Sequence, residues 1–509
     1  MNPELFRVES NTDAANSEGS PAYSFSAKHA LAQFAATGCL RATFYASAQT
    51  QLADVLSLLD DVPASFVAKT AVFARTEGFM KDLPALMTAW LTVTDPKLAE
   101  AIFPVVIDDA KMLRSFVEVL RSGVVGRKSL GSMPRRLVRG WFDRRSAEAI
   151  FRGSIGERPS LADVIKLAHP KPRDAEARAL FGYLIGKPYD VSALPKLVRD
   201  FEAWKRRPDG DPPAVPFQLL TALDLDANAW RAIARNATWQ QTRMNLATFA
   251  RHGVFASRKT TAIVAERLRD PSEVRKARVF PYQLLIAHAT AGASVPGSVR
   301  QALEAALEVA LENVPEIEGR VFVCPDVSGS MSSPVTGRRA GATTAVRCVD
   351  VAALVAAAML RTNDAEVLPF ESDVVELRLS KRDSVLTNAR KLAAIGGGGT
   401  SCSAPLARLN ASKARGRLVV LVSDNESWVD ARAGGTALMA EWMCFRARNP
   451  GAKLVCIDLV PNKTSQAREQ DGVINVGGFS DSVFDLIRAI ALNGTGGHWL
   501  RRIEATPLH

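Results

Sequence analysis

From Ser26 to about Val314, apolar residues recur at helical spacing. Leu52, Val55, Leu56 and Leu59 form one such stripe, Phe66, Val67, Thr70, Ala71 and Ala74 a second, and Val299, Ala302, Leu303, Ala306, Leu307 and Ala310 a third. Strand-type alternation is scarce over this length. Breaks at Pro63, Gly78, Pro84, Asp95-Pro96, Pro104, Gly123 and Pro134 cut the pattern into helices of modest length. Many short helices joined by tight turns predict an α-solenoid of stacked helix pairs, although no strict repeat period is visible. Before Ser26 the chain is rich in Asn, Ser and Glu and reads as irregular.

The pattern changes after Pro315-Glu-Ile-Glu-Gly319. Runs rich in β-branched residues predict strands at 321–324, 366–370, 374–379, 417–422 and 453–460, with helices at 345–360, 437–448 and 482–492 between or after them. Strand–helix alternation predicts an α/β domain with a mostly parallel sheet, whose ligands bind beyond the carboxyl ends of its strands. The chain is thus divided into a helical-repeat domain, 1–318, and an α/β domain, 319–509.

Composition adds bounds. The chain has 509 residues, 47% hydrophobic and 23% charged, ordinary for a globular protein of two or more domains. A net charge of +11 favours a polyanionic partner, and both parts share the excess. Six scattered cysteines lack any CxxC pair or metal-ligand spacing, as expected of buried free thiols in a reducing compartment. The N-terminus has no basic start followed by an apolar run, and the longest apolar stretch, near Val351 to Leu360, is too short to span a membrane. A cytoplasmic, non-membrane location and a monomeric state are expected.

The densest chemistry lies where the first α/β strand ends. Asp326, Ser328 and Ser330 occupy alternating positions after that strand. Thr400 follows the glycine run 396–399, and Asp424 ends the strand Leu418-Val-Val-Leu-Val-Ser-Asp424. Hydroxyls with few carboxylates suit a hard divalent cation such as Mg²⁺, which keeps several ligand positions for water or a partner. The alternatives are a helix cap at Asp326-Val-Ser328, with a glycine linker, or a phosphate loop at 396–399; the second lacks a following Lys. Asp-x-Ser-x-Ser, a distant Thr and a later strand-end Asp resemble the metal-ion-dependent adhesion site of von Willebrand factor A domains. The resemblance implies one open coordination position for a partner's carboxylate. No general base or nucleophile accompanies these residues, so they read as a binding site.

Basic residues concentrate in two segments of the helical part. The stretch 126–145 carries Arg127, Lys128, Arg135, Arg136, Arg139, Arg144 and Arg145, with Leu137, Val138 and Trp141 available as its buried face. Lys166, His169, Lys171 and Arg173 follow in Lys166-Leu-Ala-His-Pro-Lys-Pro-Arg173. Arginine forks suit phosphate oxygens and stack on unpaired bases; the bland alternative is a solvated, ion-paired helix face. Gly126-Arg127 before a helix ending in Trp141-Phe142, together with Leu161-Ala-Asp-Val-Ile-Lys-Leu-Ala-His-Pro-Lys-Pro172, is similar to motifs of the Ro autoantigen family. Asn11…Gly19…Tyr23-Ser-Phe25, Phe34…Gly38…Thr43-Phe-Tyr45, Arg243-Met-Asn-Leu-Ala-Thr-Phe-Ala-Arg-His-Gly253 and Val279-Phe-Pro-Tyr282 extend the likeness.

That resemblance covers nearly the whole chain. It implies a ring-like domain of helical (HEAT-type) repeats, the TROVE module, followed by a von Willebrand factor A-like domain. It implies binding of small structured Y-like RNAs on the ring's outer surface, and of single-stranded 3′ ends of misfolded noncoding RNAs in its hole. RNA quality control and stress response follow, with an exoribonuclease as a further partner. By motif, His169 matches a family histidine at the RNA surface, and Arg152 and Arg158 fall near family basic positions. Without its neighbours His169 would read as a capping or packing residue. A metal-dependent protein-interaction module without RNA is the competing reading. A nuclease or nucleotide hydrolase finds no support, since there are no paired carboxylates beside a histidine and no Walker sequence.

Overall fold

A computed structural model of the chain describes residues 12–37, 47–156, 159–277, 279, 281–312, 314–335, 346–427, 436–460, 462–478, 484, 487 and 498–508. The described residues fall into two compact units. One joins the stretch up to Met80 to Leu311–Thr506, and the other is built mainly from Lys81–Val279 and Gln283–Ala310. The sheet of the α/β part does begin just past Gly319, at Val321. Yet the first eighty residues pack with that part, a grouping the order of the chain alone does not suggest.

The second unit is helical, and its helices begin where side chains can cap them. Asp95, Asp109, Ser146, Ser160 and Asp174 each accept a hydrogen bond from a backbone N–H in the following first turn. Gly123 ends the Ala110–Ser122 helix in the left-handed region (φ 86°). That helix buries Met112, Leu113, Phe116, Val117 and Leu120, one stripe of an amphipathic cylinder. Three of the expected breaks do not occur. Pro84 and Pro134 sit in the first turns of the Asp82–Thr94 and Ser132–Asp143 helices, where no intrahelical N–H is needed. Pro104 lies near the end of the Pro96–Val106 helix.

In the first unit, β3 (Val321–Pro325), β4 (Ala365–Val367), β5 (Leu418–Ser423), β6 (Lys453–Asp458) and β8 (Val473–Gly477) form a parallel sheet in the order β4-β3-β5-β6-β8. Strands β3, β5 and β8 are buried at every position, as expected of a parallel sheet covered on both faces. Phe322, Cys324, Val419 and Leu421 share a core with Leu406, Leu409, Trp442 and Phe445. The Cys348–Thr362 helix also packs on β3; its Ala352, Ala353, Ala356, Ala357 and Ala358 allow a close approach.

Two strand expectations change. The stretch 374–379 is not a strand: beyond a single bridge between Phe370 and Val374 its alternating residues find no partner, and none of them is buried. A small antiparallel sheet, β1 (Ala14–Ala15), β2 (Pro21–Ser24) and β7 (Thr464–Ser465), appears instead, in the order β1-β2-β7. It ties the N-terminal hairpin to the α/β unit, with Tyr23 in that unit's core. The helix expected at 482–492 and the motif residues at Gly38 and Thr43-Phe-Tyr45 lie almost wholly outside the described residues.

Candidate metal site and basic surface

The five expected oxygen ligands come from three loops at the carboxyl ends of β3 and β5. Parallel pairing sets Pro325 beside Val422, and the Asp326 N–H donates to the Val422 carbonyl at 2.9 Å. Asp326 therefore lies next to Ser423 and Asp424. The glycine run closes the third side, where the Gly329 N–H donates to the Gly398 carbonyl at 3.3 Å. Gly398 has φ 71°, and a Cβ there would fall 2.2 Å from Glu371 Oε2, so this turn needs glycine. Asp326, Ser328, Ser330, Thr400 and Asp424 are all buried, none more than 8% exposed.

Hydrogen bonds fix the carboxylates. Asp326 Oδ1 accepts from the Ser328 N–H at 2.9 Å and Oδ2 from the Ser423 hydroxyl at 2.6 Å. The Ser328 and Ser330 hydroxyls lie 3.3 Å apart. Burial pushes the Asp326 carboxyl up to about 7, and the Asp424 charge adds to this. Asp424 is raised by burial too, offset in part by the Ser330 hydroxyl and the Glu426 N–H. Its Oδ1 is buried without a hydrogen bond. Glu426, 1% exposed, is pushed by burial to about 7, and buried Asp458 at the end of β6 also rises. Among the described residues no Lys, Arg or His forms an ion pair with any of these four acids.

A bare set of buried carboxylates, one of them with an orphaned oxygen, is an unfavourable arrangement. A hard cation reverses the sign, since it favours the ionised forms and takes up the free lone pairs. The donor set therefore fits a Mg²⁺-type ion. No cluster of three or more His, Cys, Asp or Glu in metal spacing exists among the described residues, as expected when hydroxyls supply most of the ligands. Ser423, Glu426 and Asp458 escaped the sequence reading. Asp424-Asn-Glu426 gives a faint signal by spacing, while Ser423 and Asp458 are marked only by burial.

The basic residues lie in the helical unit. Arg139 Nε donates to the Ala168 carbonyl at 2.7 Å, and Arg173 donates to the Asp143 carbonyl at 3.4 Å. The Ser132–Asp143 helix and the loop after the Leu161–Ala168 helix are thereby joined, so the two basic segments form one surface. Arg135, Lys128, Lys166, His169 and Lys171 are exposed on it and carry no ion pair among the described residues. Arg127 is half-buried and donates to the Leu130 carbonyl at 3.3 Å. Arg136 makes a two-pronged contact to Glu100 at 2.8 and 2.9 Å. Arg152 is held by Glu148 and the Ala214 carbonyl. Arg158 lies outside the described residues. His169 caps the Leu161–Ala168 helix in the left-handed region (φ 51°), its N–H donating to the Ile165 carbonyl at 2.9 Å while its ring faces solvent.

Helices joined to a parallel α/β domain with buried hydroxyls and carboxylates at its strand ends define a two-module protein whose second module is of the von Willebrand A type. Comparison with known proteins agrees. The family described as the Ro60 vWA domain matches residues 320–491, and the TROVE domain matches residues 213–296. A curated relative named RNA-binding protein RO60, from Deinococcus radiodurans, is 25% identical over 512 residues, covering 94% of each chain. A crystal structure of the Deinococcus radiodurans RO (RSR) protein shares the fold with a TM-score of 0.64 at 23% identity, covering 92% of this chain and 99% of that one. The chain is thus similar to Ro-type proteins along its length, with a stretch matching the TROVE domain followed by one matching the Ro60 vWA domain.

Proposed function

We propose that this protein is an RNA-binding scaffold of the Ro type, with RNA on its helical domain and a divalent cation in its α/β domain. The observation that carries the reading is the joining of two basic segments, thirty residues apart in sequence, through the Arg139–Ala168 contact. The surface so formed presents cations unpaired among the described residues at the C-terminal end of a helix, on a backbone held by the Arg139 and Arg173 contacts. Phosphates supply most of the affinity on such a surface, and sequence preference is loose. The full-length relative named as an RNA-binding protein supports this reading.

The RNAs that fit are small structured Y-like RNAs and misfolded noncoding RNAs with single-stranded 3′ ends, in quality control and stress response with an exoribonuclease as partner. An A-form duplex buries its base edges in a deep, narrow groove, whereas a single strand offers both phosphates and bases. Equal affinity for a hairpin carrying a 3′ tail and the same hairpin made blunt, in competition at fixed salt, would remove the preference for tails.

The cation, Mg²⁺ by its donor set, is held by Asp326, Ser328, Ser330, Thr400 and Asp424 and would bridge to a carboxylate. Among the described residues the site pairs no nucleophile with a general base, so the reading is of a binding protein rather than an enzyme. Among the described residues no helix is long and apolar enough to cross a membrane. Asp326→Ala with Ser328→Ala should leave RNA binding intact and abolish stabilisation by Mg²⁺. A ligand bound only by the native state raises stability by mass action, and the shift in melting temperature with Mg²⁺ reads it. No shift in the wild-type protein would end the metal reading.

A further inference from the structure

Among the described residues few large apolar side chains stand exposed, and two of them, Tyr189 (39%) and Val191 (62%), share one loop of the helical unit. The loop follows the Ala175–Ile185 helix, which Asp174 caps at its start and Gly186, at φ 72°, caps at its end. It then folds back on that helix. The Lys187 N–H donates to the Gly182 carbonyl at 2.9 Å, and a Cβ on Gly182 would fall 2.9 Å from Tyr189 Cβ and 3.1 Å from the Pro188 carbonyl oxygen. Only glycine lets the loop lie this close.

The Tyr189 ring is held in place although it is exposed. It meets the Tyr183 ring edge to face, with centroids 5.7 Å apart and planes at 82°. Tyr183 is itself anchored, its hydroxyl donating to Glu202 at 2.7 Å and its ring set against Phe151. Asp190, the acid beside Tyr189, accepts from the Ser192 N–H and hydroxyl of its own loop at 2.8 and 2.7 Å. An edge-to-face contact covers at most one face of Tyr189, so a π-face is left for a second ring.

Cations flank this ring. Lys187 precedes it in the loop, and Arg178 lies four residues before Gly182, hence one turn away on the same helix face. Both are exposed and make no ion pair among the described residues. The Lys166–Arg173 loop ends where this helix begins, and a rise of about 1.5 Å per residue sets Gly182 about 12 Å from Asp174. The basic loop, Arg178 and Tyr189 therefore follow one another along a single helix. An apolar protein surface would use the ring and not the cations, and a bare polyanion the cations and not the ring. An unpaired nucleotide uses both.

We propose that Tyr189 is a stacking platform for an unpaired base of the bound RNA, with Arg178 and Lys187 holding the phosphates on either side of it. The inference rests on the RNA-binding reading above and carries the RNA path from the basic loop along the Ala175–Ile185 helix. Stacking accepts any base, so the platform favours single strands over duplex without adding a sequence preference.

The test uses the full chain with two probes: a hairpin RNA with an oligoadenylate 3′ tail, which offers phosphates and unpaired bases, and inorganic polyphosphate, which offers phosphates alone. Tyr189→Leu keeps an apolar side chain against Gly182 and removes the π-face, whereas Tyr189→Phe keeps the ring. Tyr189→Leu should bind the tailed hairpin about tenfold more weakly with an unchanged salt dependence, and should bind polyphosphate as the wild type does. Tyr189→Phe should match the wild type on both probes. If Tyr189→Leu binds the RNA as tightly as the wild type, the inference is overturned while the RNA reading stands, and the ring is left for an apolar protein surface. An equal loss on both probes also overturns it, since the ring would then act through the fold. If the wild type itself binds no tailed hairpin, the RNA reading falls and the inference with it.

Discussion

At the scale of single residues, the arginines of the first basic segment divide by what they touch. Arg139 spends its Nε–H on the Ala168 carbonyl, and Arg136 is paired with Glu100, whereas Arg135 has no ion pair among the described residues. Arg135→Gln should therefore weaken RNA binding without changing the melting temperature. Arg139→Gln should destabilise the fold by about 1 kcal/mol through loss of a part-buried hydrogen bond, seen in chemical denaturation. Equal stability loss for both would contradict this division. That Asp326, Ser328 and Ser330 meet at one strand end was legible from sequence because they alternate along one loop. Ser423 was not legible, since a serine donating to Asp326 from another strand leaves no trace in local spacing. The contact of Ser17 with Glu426 is more distant still, spanning more than four hundred residues of chain.

At the scale of elements, the short Leu161–Ala168 helix holds the second basic loop, and a capping box starts it. Asp163 accepts from the Ser160 N–H and hydroxyl, while the Ser160 hydroxyl accepts from the Asp163 N–H. Ser160→Ala should cost about 1 kcal/mol in denaturant unfolding. The Ser160 hydroxyl, then its N–H, hold the Asp163 carboxyl below its ordinary value, so the folded state binds the proton more weakly than the unfolded chain. That contribution is fully present above the unfolded value, near 3.9, and is lost as pH falls through the lower folded value. In Ser160→Ala the acid-side loss of stability should shrink, and an unchanged acid limb would show that Asp163 is not held this way. Strands buried on both faces were legible as runs of Val, Leu and Ile, and helices as stripes. The tiny strands β1, β2 and β7 were not, because two to four residues carry no period. The stretch 374–379 has the alternation of a strand but no neighbour to pair with, and pairing is what a local pattern cannot supply.

At the scale of the whole molecule, the order of a helical part followed by an α/β part was legible, because the period of the apolar pattern changes near Gly319. The docking of the first eighty residues on the α/β part was not, since it depends on contacts such as Asn16 to Ser427 and Lys28 to Glu504. On the proposed reading, the surface made by the Ser132–Asp143 helix and the Lys166–Arg173 loop binds RNA through its phosphates. The most direct measurement is the salt dependence of affinity for a tailed hairpin RNA, compared between wild type and the double variant Arg135→Gln, Lys171→Gln. Both residues are exposed and unpaired among the described residues, so the variant should keep its melting temperature. Weaker binding is expected, with a log–log salt slope flatter by about 0.7 for each lost contact to a single strand. An unchanged affinity and slope in a folded variant would place the RNA elsewhere and contradict phosphate binding on this surface.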